Sequence, residues 1–468
     1  MKDLTTIKNV YFLGIGGIGM SSLARYFHGQ GKKVSGYDKT ETTLTQKLVA
    51  EGIFVHYDED LKKAPSDAEL VVYTPAIPKD HRELVFYLEH NYPVMKRSEV
   101  LGKITEHSFN VCVAGTHGKT TVSTMIAHIL KDSGFGCNAF LGGISVNYDT
   151  NFWSDAKNVC VVEADEYDRS FLRLSPDIAV ITAMDADHLD IYGSVEELER
   201  AYLEFSRKLK PGGLLLTRFG LQKENEFRTQ GHKTYSMQAS AADVHAGDIR
   251  IENGGYNFDM HQGAWNLKNI RLNMGGLHNV ENAVAAIGVA HGMEIADEKI
   301  TLAVASFKGV KRRFEYILPE GEMGMAEKAQ GIVYIDDYAH HPEELRALIG
   351  GARNLFPDKR CVLIFQPHLY SRTRDFADGF AASLDLADDV VVLPIYPARE
   401  KPIAGVDSGL IVARMKNHNA RVINMQETLE WIEQSKGKWE GKTLLVTAGA
   451  GDIDRMIQPI KQILTKKN

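Results

Sequence analysis

Residues 109–134 read FNVCVAGTHGKTTVSTMIAHILKDSG, and the order of residue types in this stretch decides the fold. An apolar, β-branched run leads into a glycine turn. A helical pattern follows and closes at Gly134. Strand, glycine turn and helix in that order form the βα unit of a parallel sheet. The turn resembles GxxxxGK[ST], with Val113 where the first glycine would stand and Gly118-Lys119-Thr120 intact. Phosphate binding at such a turn needs backbone amides around the phosphates, a lysine on the β- and γ-phosphates and a hydroxyl on Mg²⁺. Gly115, Thr116, His117, Gly118, Lys119, Thr120 and Thr121 are therefore expected to hold ATP, with Thr120 on the metal.

Upstream, NVYFLGIG is a strand running into a second turn, Gly14-Ile15-Gly16-Gly17-Ile18-Gly19. SSLARYFHGQG reads as a helix, KKVSGYD as the next strand, LTQKLVAEG as a helix, and IFVHY and ELVVYTPAI as strands. The turn matches GxGxxG, and Asp38 follows at the end of the next strand. Amides at a helix N-terminus hold a diphosphate, and the acid holds a ribose. A dinucleotide or a UDP-sugar satisfies this geometry equally. Gly14, Gly16, Gly17, Ile18, Gly19 and Asp38 are the expected contacts. Two phosphate turns on two α/β domains exceed what a simple dehydrogenase or a simple ATPase needs.

Downstream, NVCVVEAD and DIAVITAMD are buried-strand candidates, and residues 220–275 are more polar and glycine-rich. A third βα series starts near Lys311, with GIVYIDD, RCVLIFQPH, DDVVVLPIY and KTLLVTAGAGD as strands and TRDFADGFAASLDL as one helix. The expected architecture is α/β in three domains. An N-terminal Rossmann-like domain spans 1–107, a central P-loop ATPase domain with a mainly parallel sheet spans 108–311, and a C-terminal Rossmann-like domain spans 312–468.

Composition agrees with an ordinary globular protein. The chain has 468 residues, 44% apolar and 25% charged. Lys and Arg number 54 and Asp and Glu 61, a net charge of −7, which argues against nucleic acid or an anionic membrane as partner. The four cysteines form no CxxC pair and suggest buried thiols in a reducing compartment. No apolar run is long enough for a membrane span, and the glycines of residues 14–19 spoil a signal-peptide reading, so a cytoplasmic location is expected.

Eight motifs occur in order: GIGGIGM, AGTHGKTT, VVEADE, DADHLD, GLHNVENA, RRFE, DDYAHHP and QPHLYSRTRD. This series resembles the Mur ligase family over nearly the whole chain. The resemblance implies a UDP-sugar domain, a central ATPase and a closing C-terminal domain. It implies that ATP drives attachment of L-alanine to UDP-N-acetylmuramate, with Mg²⁺ as cofactor. By the same resemblance Glu163 and His188 join Thr120 as metal ligands, and His278, Asn279 and Asn282 read the adenine. Arg313 reaches the ATP phosphates and Asp337 the ribose. Tyr338, His340 and Arg372 hold the amino acid, and Lys119, His188 and Arg372 form the catalytic set. Asp165, Glu166, Asp185 and Asp187 read as solvated loop acids, and Lys311 and Arg312 as a basic turn. Arg372 has a simpler alternative, a surface ion pair with Asp375.

Three positions depart from or refine the pattern. Ala183 stands where an asparagine is frequent, Leu369 where a second arginine is common, and Leu203 where later-step ligases carry a carbamylated lysine. Competing readings are a ligase that attaches a preformed tripeptide to the same UDP-sugar, a folate or cyanophycin ligase, an NAD-dependent oxidoreductase and a P-loop switch protein.

Overall fold

The computed structural model describes residues 4–185, 189–227, 231–319, 331–398, 400–439 and 441–466. The chain is a three-domain α/β protein with three sheets. Its contacts divide it into two compact units. One comprises Met1–Gly247, Met260–Leu267 and Glu281–Ala303, and the other Asp248–Asp259, Lys268–Val280 and Val304–Asn468.

The first sheet contains β1 (Asn9–Leu13), β2 (Lys33–Tyr37), β3 (Phe54–His56), β4 (Leu70–Tyr73) and β5 (Val94–Lys96). All pairs are parallel, in the order β3-β2-β1-β4-β5. Val10 to Leu13 are all buried, as expected for a strand covered on both faces. Helices α1 (Ile18–Gly29), α2 (Thr43–Ala50), α3 (Arg82–Glu89) and α4 (Arg97–Glu106) cover it. The helix expected from Ser21 starts three residues earlier, at Ile18, directly on the glycine turn. Strand order reverses at β1, so the loops after β1 and β4 flank the switch-point crevice where α/β sheets bind ligands.

The second sheet has the order β15-β14-β13-β12-β11-β10-β6-β9-β7-β8. Its members are β6 (Phe109–Ala114), β7 (Asn138–Ser145), β8 (Thr150–Trp153), β9 (Val159–Glu163), β10 (Ile178–Ile181), β11 (Leu214–Arg218), β12 (His232–Ser236), β13 (Val244–Glu252), β14 (Gly255–Gln262) and β15 (Trp265–Leu272). Strand β6 lies between β9 and β10, parallel to both. The turn after β6, the end of β9 and the loop after β10 therefore converge at one edge. The helices are α5 (Lys119–Asp132), α6 (Leu189–Tyr192), α7 (Val195–Ser206), α8 (His278–Gly292) and α9 (Asp297–Ser306).

A buried polar staple ties α1 to the antiparallel β7–β8 ribbon. Asn151 Nδ2 donates to Ile18 O (2.7 Å) and Ser22 Oγ (2.7 Å), and its Oδ1 accepts from Arg25 (2.8 Å). Arg25 also grips Glu51 with two nitrogens, at 2.7 and 2.9 Å.

The third sheet runs β16-β17-β21-β18-β19-β20, with β16 (Glu315–Leu318) antiparallel to β17 (Val333–Asp337) and the other pairs parallel. The others are β18 (Arg360–Phe365), β19 (Asp389–Val392), β20 (Ala420–Val422) and β21 (Thr443–Ala448). Helix α10 (Pro342–Leu355) follows β17. The single helix expected over TRDFADGFAASLDL is two, α11 (Tyr370–Asp375) and α12 (Ala377–Leu384), because Phe376 leaves helical geometry with φ −117°. All four cysteines are buried and unpaired.

Candidate active site

The glycine turn after β1 is braced from β2. Gly14 and Ile15 amides donate to Tyr37 O at 2.8 and 3.0 Å, and Gly16 N donates to Asp38 Oδ2 at 2.8 Å. Asp38 Oδ1 takes Thr40 N at 3.2 Å. The acid read as a ribose contact thus also fixes the turn. A cavity of about 350 Å³ opens beside it. Gly17, Ile18, Gly19, Thr74 and Arg97 line one end, and Leu141, Gly142, Glu163 and Asp165 the other.

The phosphate turn after β6 is left-handed at Gly118, with φ +82°. Thr116 N donates to Ala183 O (3.1 Å), and Thr182 Oγ1 donates to Ala114 O (3.1 Å), so the β10 loop buttresses the turn. Lys119 Nζ bonds Gly115 O at 2.7 Å and Glu166 Oε1 at 2.8 Å. Glu166 is fully buried, which corrects its reading as a solvated loop acid. Burial raises its carboxyl and the neighbouring ammonium opposes that rise. Tyr192 OH holds the Glu166 carbonyl at 2.7 Å.

Glu163, at the end of β9, is held at both oxygens. Thr120 Oγ1 donates to Oε1 (2.9 Å) and Gly142 N to Oε2 (2.8 Å). A Cβ on Gly142 would fall 2.3 Å from that carboxylate, so only glycine admits Glu163 here. Burial pushes its carboxyl up, and Lys119 is the leading opposing influence. Thr120 and Glu163 therefore offer hard oxygen donors side by side, a set that suits Mg²⁺. His188 and Asp187 lie outside the described residues. His117 and Asp185 are both exposed, 3.8 Å apart. Asn282 Oδ1 lies 2.8 Å from where a Gly118 Cβ would be, which brings it to the phosphate turn. Leu203 is packed in the core of α7, and Ala183 is buried.

The second unit carries the remaining expected residues. His278 is exposed at the start of α8, while Asn279 is buried with Nδ2 on Gly275 O at 2.6 Å. Asp337 accepts from Phe314 N and Ala339 N, both at 2.7 Å, so its carboxylate orders the loop around Arg313. Arg312 is not a solvated turn residue. It pairs with buried Asp336 at 3.2 Å, because β17 carries that acid into the sheet. Asp336 is itself raised to about 7 by burial, with Arg312 opposing. Both Arg312 and Arg313 lie over the Tyr338 ring, at 5.3 and 5.6 Å.

His340 gathers near Arg372 and His368. The His340 and His368 rings are 6.1 Å apart. Burial holds both imidazoles below their usual range, and the Arg372 cation adds to this. One terminal nitrogen of Arg372 is buried without a hydrogen-bond partner among the described residues. Asp375 pairs with Arg374 at 2.7 Å instead of Arg372, because α11 turns the two arginines apart. A guanidinium with an open donor beside two neutral imidazoles is suited to a carboxylate or phosphate. Leu369 caps α11 with φ +71°, and its amide donates to Tyr396 O at 2.9 Å.

The Mur ligase family catalytic domain matches residues 9–109, the Mur ligase middle domain 113–290 and the Mur ligase glutamate ligase domain 312–451. The chain belongs to the Mur ligase family. This Mur ligase is 46% identical to a UDP-N-acetylmuramate–L-alanine ligase of Cytophaga hutchinsonii, over 99% of the chain and 98% of the relative. It is 45% identical to the enzyme of that name from Porphyromonas gingivalis, over 98% and 99%. Among solved structures it resembles the UDP-N-acetylmuramate-alanine ligase of Thermotoga maritima, with a TM-score of 0.80, 28% identity and coverage of 97% and 98%. A murein peptide ligase of Psychrobacter arcticus shares the fold, with a TM-score of 0.64 at 21% identity over 98% and 99%.

In the sequence of this Mur ligase Arg97 and His368 carry no assigned role, and Glu166 reads only as a solvated loop acid. Glu166 and His368 lie inside quoted motifs, and the buried surroundings that mark them come from strands distant in sequence. Arg97 had only its place after a short strand to give it away.

Proposed function

We propose that this Mur ligase joins L-alanine to the lactyl carboxylate of UDP-N-acetylmuramate, with ATP converted to ADP and phosphate. One observation supports the reading above others: a single cavity begins at the glycine turn and ends at Glu163, beside Thr120 and Lys119. A UDP-sugar anchored at the first end presents its acid at the second. The carboxylate oxygen attacks the γ-phosphorus, the bond to ADP breaks, and an acyl phosphate forms. The amine of alanine then attacks the acyl carbon, and phosphate leaves with the electron pair of the C–O bond and takes up the proton the amine gives up.

Each step sets a task for residues of this chain. An anionic carboxylate must meet an anionic phosphate, and Lys119 supplies positive charge where charge builds up. Thr120 and Glu163 would hold Mg²⁺, which supplies further charge neutralisation when bound. No cluster of three or more metal-ligating side chains exists among the described residues. Gly115 to Thr121 and Asn282 would contact ATP in the first unit, and His278, Asn279, Arg313 and Asp337 in the second. Tyr338, His340 and Arg372 would hold the amino acid, whose carboxylate fits the open donor of Arg372.

The test is to mix the protein with ATP, Mg²⁺, UDP-N-acetylmuramate and single amino acids or the tripeptide, then follow ADP release and product mass. The expected result is an alanine adduct, with ADP release dependent on both substrates. A product formed only with the tripeptide would overturn the alanine assignment.

A further inference from the structure

The cavity between the glycine turn and Glu163 has one lysine or arginine among its described lining residues, Arg97. We propose that Arg97 grips the diphosphate of the UDP-sugar; this rests on the substrate reading above. Arg97 is the first residue of α4 and follows β5, at the ligand edge of the first sheet. Its guanidinium is seated against the first turn of α1. A Cβ on Gly19 would lie 2.9 Å from one terminal nitrogen and 3.2 Å from Cζ. The third glycine of the turn therefore makes room for this cation.

Helix stability does not account for Arg97. A cation in the first turn opposes the helix dipole, which favours acids there. Glu99 already serves that need, accepting Lys96 N at 2.8 Å. Glu163 and Asp165 line the cavity with Arg97, yet no ion pair joins it to either of them. Two helix N-termini, those of α1 and α4, thus converge with a guanidinium that makes no ion pair among the described residues. A doubly charged diphosphate satisfies all three, because the planar fork of arginine matches two phosphate oxygens at once. Seating it at Gly19 leaves the sugar directed along the cavity toward Gly142 and Glu163.

The experiment is titration calorimetry of the full chain with UDP, UDP-N-acetylglucosamine, UDP-N-acetylmuramate and ATP, for wild type, R97A and R97K. R97A is expected to weaken the three diphosphate ligands alike by at least ~30-fold, with ATP affinity and the thermal midpoint little changed. R97K is expected to recover only part of the loss, since a point charge replaces a fork. A loss confined to UDP-N-acetylmuramate would assign Arg97 to the lactyl carboxylate and overturn the proposal. So would an unchanged R97A, or equal losses for ATP and the UDP ligands with a lowered midpoint. A wild type that binds ATP but no UDP ligand would overturn the substrate reading itself.

Discussion

The ammonium of Lys119 lies 2.8 Å from Oε1 of Glu166, a carboxylate shut off from solvent. The lysine is thus aimed by a buried acid and by Gly115 O. Lys119→Ala is expected to lower turnover by ~10²–10³, the cost of one charge-assisted contact that strengthens in the transition state. UDP-sugar affinity should not change, because the glycine turn lies on another sheet. Near-normal turnover would refute the assignment of this turn to ATP.

Glu163 is gripped at both oxygens by Thr120 and Gly142, which keeps it in one orientation. Glu163→Gln is expected to raise the Mg²⁺ concentration needed for half-maximal rate by about 10-fold or more, as loss of a metal-shell carboxylate does. The check is a Mg²⁺ titration at saturating ATP. An unshifted curve removes Glu163 from the metal shell.

Glu83, on α3, is fully buried against the first sheet, where Tyr11 OH donates to it at 2.5 Å and Asp60 N at 3.1 Å. Burial raises its carboxyl to about 7. The folded state therefore keeps this proton longer than the unfolded chain. Its stabilising share is complete below about 4.5 and is lost as pH rises through about 7. From pH 5 to 8 wild type should lose about 2 kcal/mol relative to Glu83→Gln. Denaturant unfolding at both pH values measures this, and parallel profiles would contradict it.

Asn151 is fully buried and holds α1 with its amide. Asn151→Ala leaves Arg25 and the Ile18 carbonyl short of a partner, at a cost of about 2 kcal/mol. The glycine turn begins α1, so UDP-sugar affinity should fall while ATP affinity holds. A variant with native stability would show that water replaces the amide.

Arg372→Lys is expected to raise the KM for L-alanine by ~10-fold or more, since the lysine cannot bind a carboxylate with two parallel hydrogen bonds. The KM values for ATP and the UDP-sugar should move far less. A lost ATP affinity with an unchanged alanine KM would instead put Arg372 on the phosphate.

Both phosphate turns and most parallel strands were legible in the sequence, since each is a continuous apolar run ending in glycine. The β7–β8 ribbon was not, because Gly142 and Gly143 interrupt the apolar run of β7. That interruption is what lets Glu163 approach. Glu166 and Arg312 looked like solvated charges because the partners that bury them, Lys119 and Asp336, stand 47 and 24 residues away. Arg97 was invisible for a similar reason: a lone arginine after a three-residue strand carries no motif.

The four buried thiols have a practical consequence. Burial pushes Cys160 up to about 11 and Cys137 and Cys361 to about 12, with Cys112 also raised. Little thiolate forms at neutral pH, so alkylating reagents should leave the native chain nearly unmodified. A cysteine introduced at Leu302, 61% exposed, and another at Val422, 43% exposed, would then be labelled alone. Spin labels there would measure the separation of the two compact units, with and without nucleotide, in an otherwise unaltered protein.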